Sequence, residues 1–335
     1  MDDALLNSGT ALYGTTVSEI TALPGGHFAL VYEYNLQGQD CILRIAPPSD
    51  EINLHSTRLV LEWLAFLGEH GGPVCPPIRS VQGNLVEALE YKGQTFLATA
   101  CSKAPGVLAE RIHPEEWSDE LFQSLGRAIG SCHRIACLYA PPEASRRPTW
   151  EQVGTCFNPL EDLEGSEAFI LEKRRLILEA IAGLPVSPEC YGLAHLDLHF
   201  GNFFVDTARS QITLFDFDDC AYGWYVMDLA MLLFDVLVVY GGSEREQFGE
   251  RFLEHLLRGY LSQKSLGAAS AAQFPLFLKL LEIGLYIMLY RTDYPEESDG
   301  WAGKFMPGRQ QRVESDIPYV DLDFESILKK AASLR

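Results

Sequence analysis

The chain predicts an α+β fold in two lobes, a small antiparallel sheet with one helix followed by a larger, mainly helical lobe. Three observations carry this. Residues 18–100 read as short β-runs separated by glycine-bearing turns, with a single amphipathic helix among them. Residues 107–335 read mostly as helices. Within that helical part, residues 193–219 form two apolar, β-favouring runs interrupted by His, Asp and Asn. At 335 residues the chain is long enough for two cores. The expected boundaries are 1–99 for the β-rich lobe, 100–106 for a linker and 107–335 for the helical lobe.

Met1-Asp-Asp-Ala-Leu-Leu is acidic with a short apolar patch, which is not the pattern of a signal peptide. From Ser18 to Ala46 the pattern is strand, turn, strand, turn, strand. The first turn, Thr21-Ala-Leu-Pro-Gly-Gly-His27, places Gly25 and Gly26 where backbone N–H groups can cover a phosphate, with His27 and Phe28 at the same tip. The same residues also make an ordinary hairpin. The third strand, Cys41-Ile-Leu-Arg-Ile45, carries Arg44, whose guanidinium can clamp phosphate bidentately or simply stand on an open sheet face. Leu59, Trp63, Phe66 and Leu67 make one stripe of a helix over 52–69, stopped by Gly71-Gly72-Pro73. On that helix Glu62 is the expected ionic partner of Arg44, unless it is merely an exposed helical acid. Three further β-runs lead to Ala100-Cys-Ser-Lys-Ala-Pro-Gly106, where Pro-Gly stops the last strand.

Beyond the linker, Leu121, Leu125, Ile129 and Cys132 define a helix over 115–138, with His133 as a core or capping residue. A loop with Glu161, Asp162 and Glu164 precedes a helix over 166–182. After the ribbon come a buried helix, Leu229 to Val239, and two or three more, interrupted at Tyr294–Gly300. Two late runs, Trp224–Tyr240 and Phe274–Tyr290, are apolar, but they carry Asp228 with Asp235, and Lys279 with Glu282. Each such charge would cost roughly 2.5–3.5 kcal/mol at a bilayer centre, so both read as core helices rather than membrane spans.

The formal net charge of −20 argues against non-specific binding to nucleic acid. Acidity of this size is ordinarily solvated surface; the sharper reading is a cationic substrate. The eight cysteines show neither C-x-x-C nor zinc-finger spacing and read as small core residues in a reducing cytoplasm.

The ribbon holds the chemistry. Folding 193–205 onto 212–219 about the polar turn 206–211 would bring His195, Asp197, Asn202 and Asp216 to one end. Asp197 stands two residues after His195 and five before Asn202, the H-x-D-x-x-x-x-N spacing of a kinase catalytic loop. Two carboxylates and an amide oxygen suit Mg²⁺, and a carboxylate at Asp197 can take a hydroxyl proton late in phosphoryl transfer. The bland alternative is a set of loop polars capping a hairpin.

His195-Leu-Asp-Leu-His-Phe-Gly-Asn202, Leu214-Phe-Asp-Phe-Asp-Asp219 and Met227-Asp-Leu-Ala230 together resemble the aminoglycoside phosphotransferase and choline kinase family. The close match covers Gly192 to about Leu233. The resemblance implies a protein-kinase-like fold, ATP and Mg²⁺ as cofactors, Asp197 as base with His195 beside it, and Asn202 and Asp216 as metal ligands. It further implies that adenine meets the linker backbone, at Ala100 and Cys101, and that Asp228 supports the catalytic loop from behind, with His199 in a similar supporting place. Arg44 stands where that family usually has Lys, a departure that alters how the phosphates would be held.

These readings lead to a kinase of a small hydroxylated molecule, with nucleotide in the cleft between lobes and the acceptor near Asp218, Asp219, Tyr222 and Trp224. The acids at 161–164 and Asp293, Glu296, Glu297 and Asp299, with those aromatic rings, would favour an acceptor bearing an amine. Two other classes stay open: a metallohydrolase using His195, Asp197 and His199, and a kinase-fold protein that binds nucleotide without catalysis.

Overall fold

The computed structural model describes residues 3–24, 29–49, 52–159, 168–240, 242–290 and 300–333. Two compact units emerge. One comprises Met1–Gly106 with Pro141–Arg147 and Thr213–Asp218; the other comprises Val107–Ala140, Pro148–Ile212 and Asp219–Arg335. The α+β class is as predicted.

In the first unit, helix α1 (Asp3–Leu12) precedes strands β1 (Thr21–Ala22), β2 (Leu30–Leu36) and β3 (Gln39–Ala46), helix α2 (Leu54–Glu69), and strands β4 (Pro77–Ile78), β5 (Val86–Tyr91) and β6 (Gln94–Ser102). The sheet runs β1-β2-β3-β6-β4, with β5 also on β6, and each of these pairs is antiparallel. Helix α2 is capped by Asn53, whose side chain accepts the His55 and Ser56 N–H groups. Helix α1, only ten residues long, was not expected from the sequence. It is held by tertiary contacts: Leu5 is buried, Gly9 lies close against Ile45, and the Tyr13 hydroxyl that follows donates to the Ala98 carbonyl at 2.8 Å.

The second unit begins with β7 (Val107–Leu108) and helices α3 (Asp119–Ala136) and α4 (Ala168–Ala182). The strands β8 (Tyr191–Ala194), β9 (Phe203–Asp206), β10 (Gln211–Leu214) and β11 (Ala221–Trp224) follow, with the division between units falling inside β10. Helices α5 (Val226–Val239), α6 (Arg245–Leu261), α7 (Gln273–Tyr290), α8 (Trp301–Phe305), α9 (Arg309–Glu314) and α10 (Phe324–Ser333) complete it. The stretch Ala269–Tyr290 is long and apolar enough to cross a membrane, yet two-thirds of it is buried against the rest of this unit. Helix α5 is buried along nearly its whole length.

One strand pairing differs from the expected ribbon. β8 pairs antiparallel with β11, Ala194 opposite Ala221 and Gly192 opposite Gly223. At Gly192 the close approach demands glycine, while at Gly223 a Cβ would crowd a flexible methionine. A Cβ on Gly192 would stand 2.1 Å from the Tyr225 hydroxyl, and one on Gly223 would stand 3.0 Å from the Met227 sulfur. The turn after β9 is an Asx turn, in which Asp206 Oδ1 accepts the N–H groups of Ala208 (3.1 Å) and Arg209 (3.2 Å).

Candidate active site

β8 delivers the chain into the loop 195–202. Leu196 there takes φ +64°, a left-handed conformation that costs a residue with a Cβ about 1–3 kcal/mol. Asp228, buried in the first turn of α5, holds it in place. Its Oδ2 accepts the His195 N–H and its Oδ1 the Leu196 N–H, each at 2.8 Å. His133 Nε2 lies 3.0 Å from Asp228 Oδ2, and His133 Nδ1 lies 3.0 Å from the Tyr260 hydroxyl. Burial works against the Asp228 charge, but His133 and the His195 N–H outweigh it and hold the carboxyl below its usual range. Burial also pushes His133 below its ordinary value. The pair therefore rests as a carboxylate and a neutral imidazole, with His133 Nε2–H donating to the carboxylate and Nδ1 accepting from the Tyr260 hydroxyl.

Asp197 follows, its side chain 30% exposed. The Asn202 amide donates to the Asp197 carbonyl at 2.7 Å and to Asp197 Oδ2 at 3.0 Å. Those bonds fix the amide's orientation and leave its oxygen as the group it can offer to a cation. His199 Nδ1 accepts the Gly201 N–H at 3.0 Å, which puts the proton of the neutral ring on Nε2, 3.7 Å from Asp197 Oδ2. Gly201 permits this, since a Cβ there would lie 2.6 Å from the His199 ring. The arrangement presents one partly exposed carboxylate, bonded by an amide and with an imidazole 3.7 Å away, that can take a proton from a neighbouring hydroxyl.

The first unit carries a charged cluster of its own. Arg44 Nη1 donates to Asp218 Oδ2 at 2.9 Å. Burial opposes the guanidinium charge, but Asp218 and, more weakly, Asp216 raise its proton affinity above the ordinary value. Arg147, which sequence reasoning did not single out, donates to the Asp218 carbonyl at 2.7 Å. No local pattern marks it, because its partner lies 71 residues away. Asp216 is exposed and sits at φ +63°.

Several expectations change. Arg44 does not pair with Glu62. Glu62 lies 3.7 Å from Arg58, one turn earlier on the same helix, while Arg44 has the nearer carboxylate of Asp218. The Asp218 carboxylate is thereby engaged rather than offered to an acceptor. Trp224 is buried, its indole donating to the Pro185 carbonyl at 2.9 Å and its ring against Tyr191 and Phe277, so it is core rather than pocket wall. Ala100 and Cys101 lie inside β6, flanked by β3 on one side and β4 on the other. Main-chain groups there serve the sheet, and the N–H groups that follow, of Ser102 and Lys103, donate to the carbonyls of Pro76 and Asp40. Asp219 and Tyr222 are half-buried, and the Tyr222 main chain bonds Pro148 and the Tyr191 hydroxyl. Gly25, Gly26, His27 and Phe28, and the acids at 161–164 and 293–299, lie outside the described residues. Among the described residues, no three His, Cys, Asp or Glu side chains converge to hold a metal, which does not favour the metallohydrolase.

A family model described as the phosphotransferase enzyme family matches residues 19–271. Amicoumacin kinase of Bacillus subtilis (strain 168) is 28% identical over 337 residues, covering 98% of this chain and 96% of that protein. The structure of an amicoumacin kinase in complex with AMP-PNP, Ca²⁺ and Ami superposes with a TM-score of 0.84 at 27% identity, covering 97% of each chain. A microcompartment-associated aminopropanol kinase shares the fold, with a TM-score of 0.67 at 22% identity over 99% of this chain and 96% of that one. The chain belongs to the phosphotransferase enzyme family and is a kinase of small molecules.

Proposed function

We propose that the protein transfers the γ-phosphoryl group of ATP, bound with Mg²⁺, to a hydroxyl of a small molecule in the cytoplasm. The observation that carries this is the Asp197 carboxylate held by the Asn202 amide and facing His199, in a chain of this family. Asp197 accepts the proton of the acceptor hydroxyl, a role that Asn202 supports by fixing its orientation. The Asn202 amide oxygen and the Asp216 carboxylate would hold the cation; oxygen-only donors of this kind fit a hard ion such as Mg²⁺. When bound, the cation neutralises charge on the transferring phosphate. Arg44, kept charged by its acidic neighbours, has further N–H groups with which to meet phosphate oxygens. Adenine would meet the backbone of the linker, as the resemblance to the family implies. The eight cysteines are free thiols, which supports a reducing compartment.

The likeness to amicoumacin kinase along nearly the whole chain makes amicoumacin the first acceptor to test. We extend the reading to acceptors that carry an amine, on the strength of the net charge of −20. The test is ADP release with amicoumacin, aminoglycosides, choline, ethanolamine, homoserine and sugars in turn, with and without Mg²⁺. One acceptor should yield a phosphorylated product in a reaction that needs Mg²⁺ and nearly stops in Asp197→Asn. ADP release that no acceptor stimulates, or that survives Asp197→Asn on the true acceptor, would sink the proposal.

A further inference from the structure

Helix α5 carries a second buried carboxylate, Asp235, two turns beyond Asp228 and on the same face. Its Oδ2 accepts the Phe200 N–H at 2.9 Å. Its Oδ1 accepts the indole N–H of Trp301 at 3.1 Å. Asp228 thus holds the first two amides of the loop 195–202, and Asp235 holds one near its end. Burial pushes the Asp235 carboxyl above its ordinary range; the Phe200 N–H, His199 and Trp301 act against that rise, while Asp197 adds to it. A side chain so costly to bury has a reason here. Two donors approach from different sides, and a carboxylate accepts on both oxygens where an amide accepts on one.

Trp301 opens α8 and stacks on Phe305, with ring centroids 5.4 Å apart. The Arg309 guanidinium lies 4.2 Å from the Phe305 ring and pairs with Glu282, which is fully buried on α7. The indole is therefore held from behind. It also lies beyond residue 271, where the match to the family ends, so this support comes from a part of the chain outside the shared pattern.

We infer that Asp235 and Trp301 form a positioning pair for phosphoryl transfer, setting the main chain at Phe200–Gly201 and through it the orientation of His199 and Asn202 around Asp197. Phe200 is buried, so its N–H has no water to turn to, and a carboxylate bonded at both oxygens cannot rotate away from it. Trp301 supplies the second of those bonds. This inference rests on the reading of 195–202 as the catalytic loop.

The test compares Trp301→Phe, Asp235→Ala and the double variant with the parent, using Mg·ATP hydrolysis with water as acceptor and residue-resolved amide exchange. Trp301→Phe keeps the ring stack and removes only the donor. It should lower kcat about three- to tenfold, the kinetic equivalent of one ordinary hydrogen bond, with KM for ATP unchanged and the protein still folded at the assay temperature. Asp235→Ala should lower kcat further, and adding Trp301→Phe to it should have no additional effect. Exchange should quicken at Phe200 and Gly201 in both single variants, and not at His195 and Leu196, which Asp228 holds. Parental kcat and exchange in Trp301→Phe would overturn the inference, as would losses that multiply in the double variant or exchange that quickens evenly along the loop. Where the parent hydrolyses no ATP with water as acceptor, the exchange pattern alone decides the positioning pair, and the proposed function is judged by its own acceptor test.

Discussion

His133 and Asp228 make the support of the loop 195–202 sensitive to acid. Because burial holds His133 below its ordinary value of about 6.5, the unfolded chain takes up this proton first as the pH falls below that value, and stability declines. Asp228, held below the usual carboxylate range, contributes stability that is complete above about pH 4 and is lost as the pH falls through its folded value. Both act in the same direction, with His133 first. Melting temperatures measured between pH 7 and pH 5 should therefore fall, and fall less steeply in His133→Gln, whose amide can still donate to Asp228. Equal slopes in the two proteins would rule out His133 as the source. Asp197 is the residue to alter for chemistry: Asp197→Asn should lower kcat by about a hundredfold or more with ATP affinity nearly unchanged, as measured by steady-state kinetics and calorimetry.

Helices α3 and α6 bring His133 and Tyr260 together, and three glycines let them do so. A Cβ on Gly126 would lie 1.9 Å from the Leu256 carbonyl oxygen, and one on Gly259 would lie 1.9 Å from that of Gln123. One turn further along α3, a Cβ on Gly130 would come within 2.8 Å of the Tyr260 carbonyl oxygen. Backbone oxygens cannot step aside as a flexible side chain can, so the helices would have to separate. Gly126→Ala and Gly259→Ala should each lower stability by at least about 1–3 kcal/mol, read as a drop in the denaturant midpoint with the slope unchanged. Catalysis should fall with it, since the same separation pulls Tyr260 from His133. A variant with parental midpoint would mean the crossing is looser than these distances require. The sequence pattern shows the two helices, because apolar periodicity is local. It does not show the crossing, because a glycine in a helix reads only as a weak helix former until its neighbour is known.

Over the whole molecule, 46 acidic residues against 26 basic ones set a field that draws cations. An acceptor carrying an amine should show a KM that rises with salt, because exposed charges are screened beyond roughly 8–10 Å at physiological ionic strength. A neutral acceptor should show a KM indifferent to salt. KM for the best acceptor measured at two ionic strengths distinguishes them, and a flat response would remove the amine from the proposal.

The sequence by itself determined the fold class, the family and the order of the chemical groups along the chain. His195, Asp197, His199 and Asn202 lie within eight residues, so a single loop must hold them near one another. Apolar periodicity likewise located α2, α3, α4, α5 and α7 within a few residues at each end, but not α6, and among the described residues five helices follow α5 where two or three were expected. Other features depended on the tertiary structure: the pairing of β8 with β11, the ion pair of Arg44 with Asp218 across 174 residues, and the reach of Trp301 back to Asp235 across 66. An acid or arginine in a sequence has many candidate partners of the right charge, and local spacing does not choose among them. Packing chooses, because a buried polar group keeps its place only where the folded chain brings it a partner.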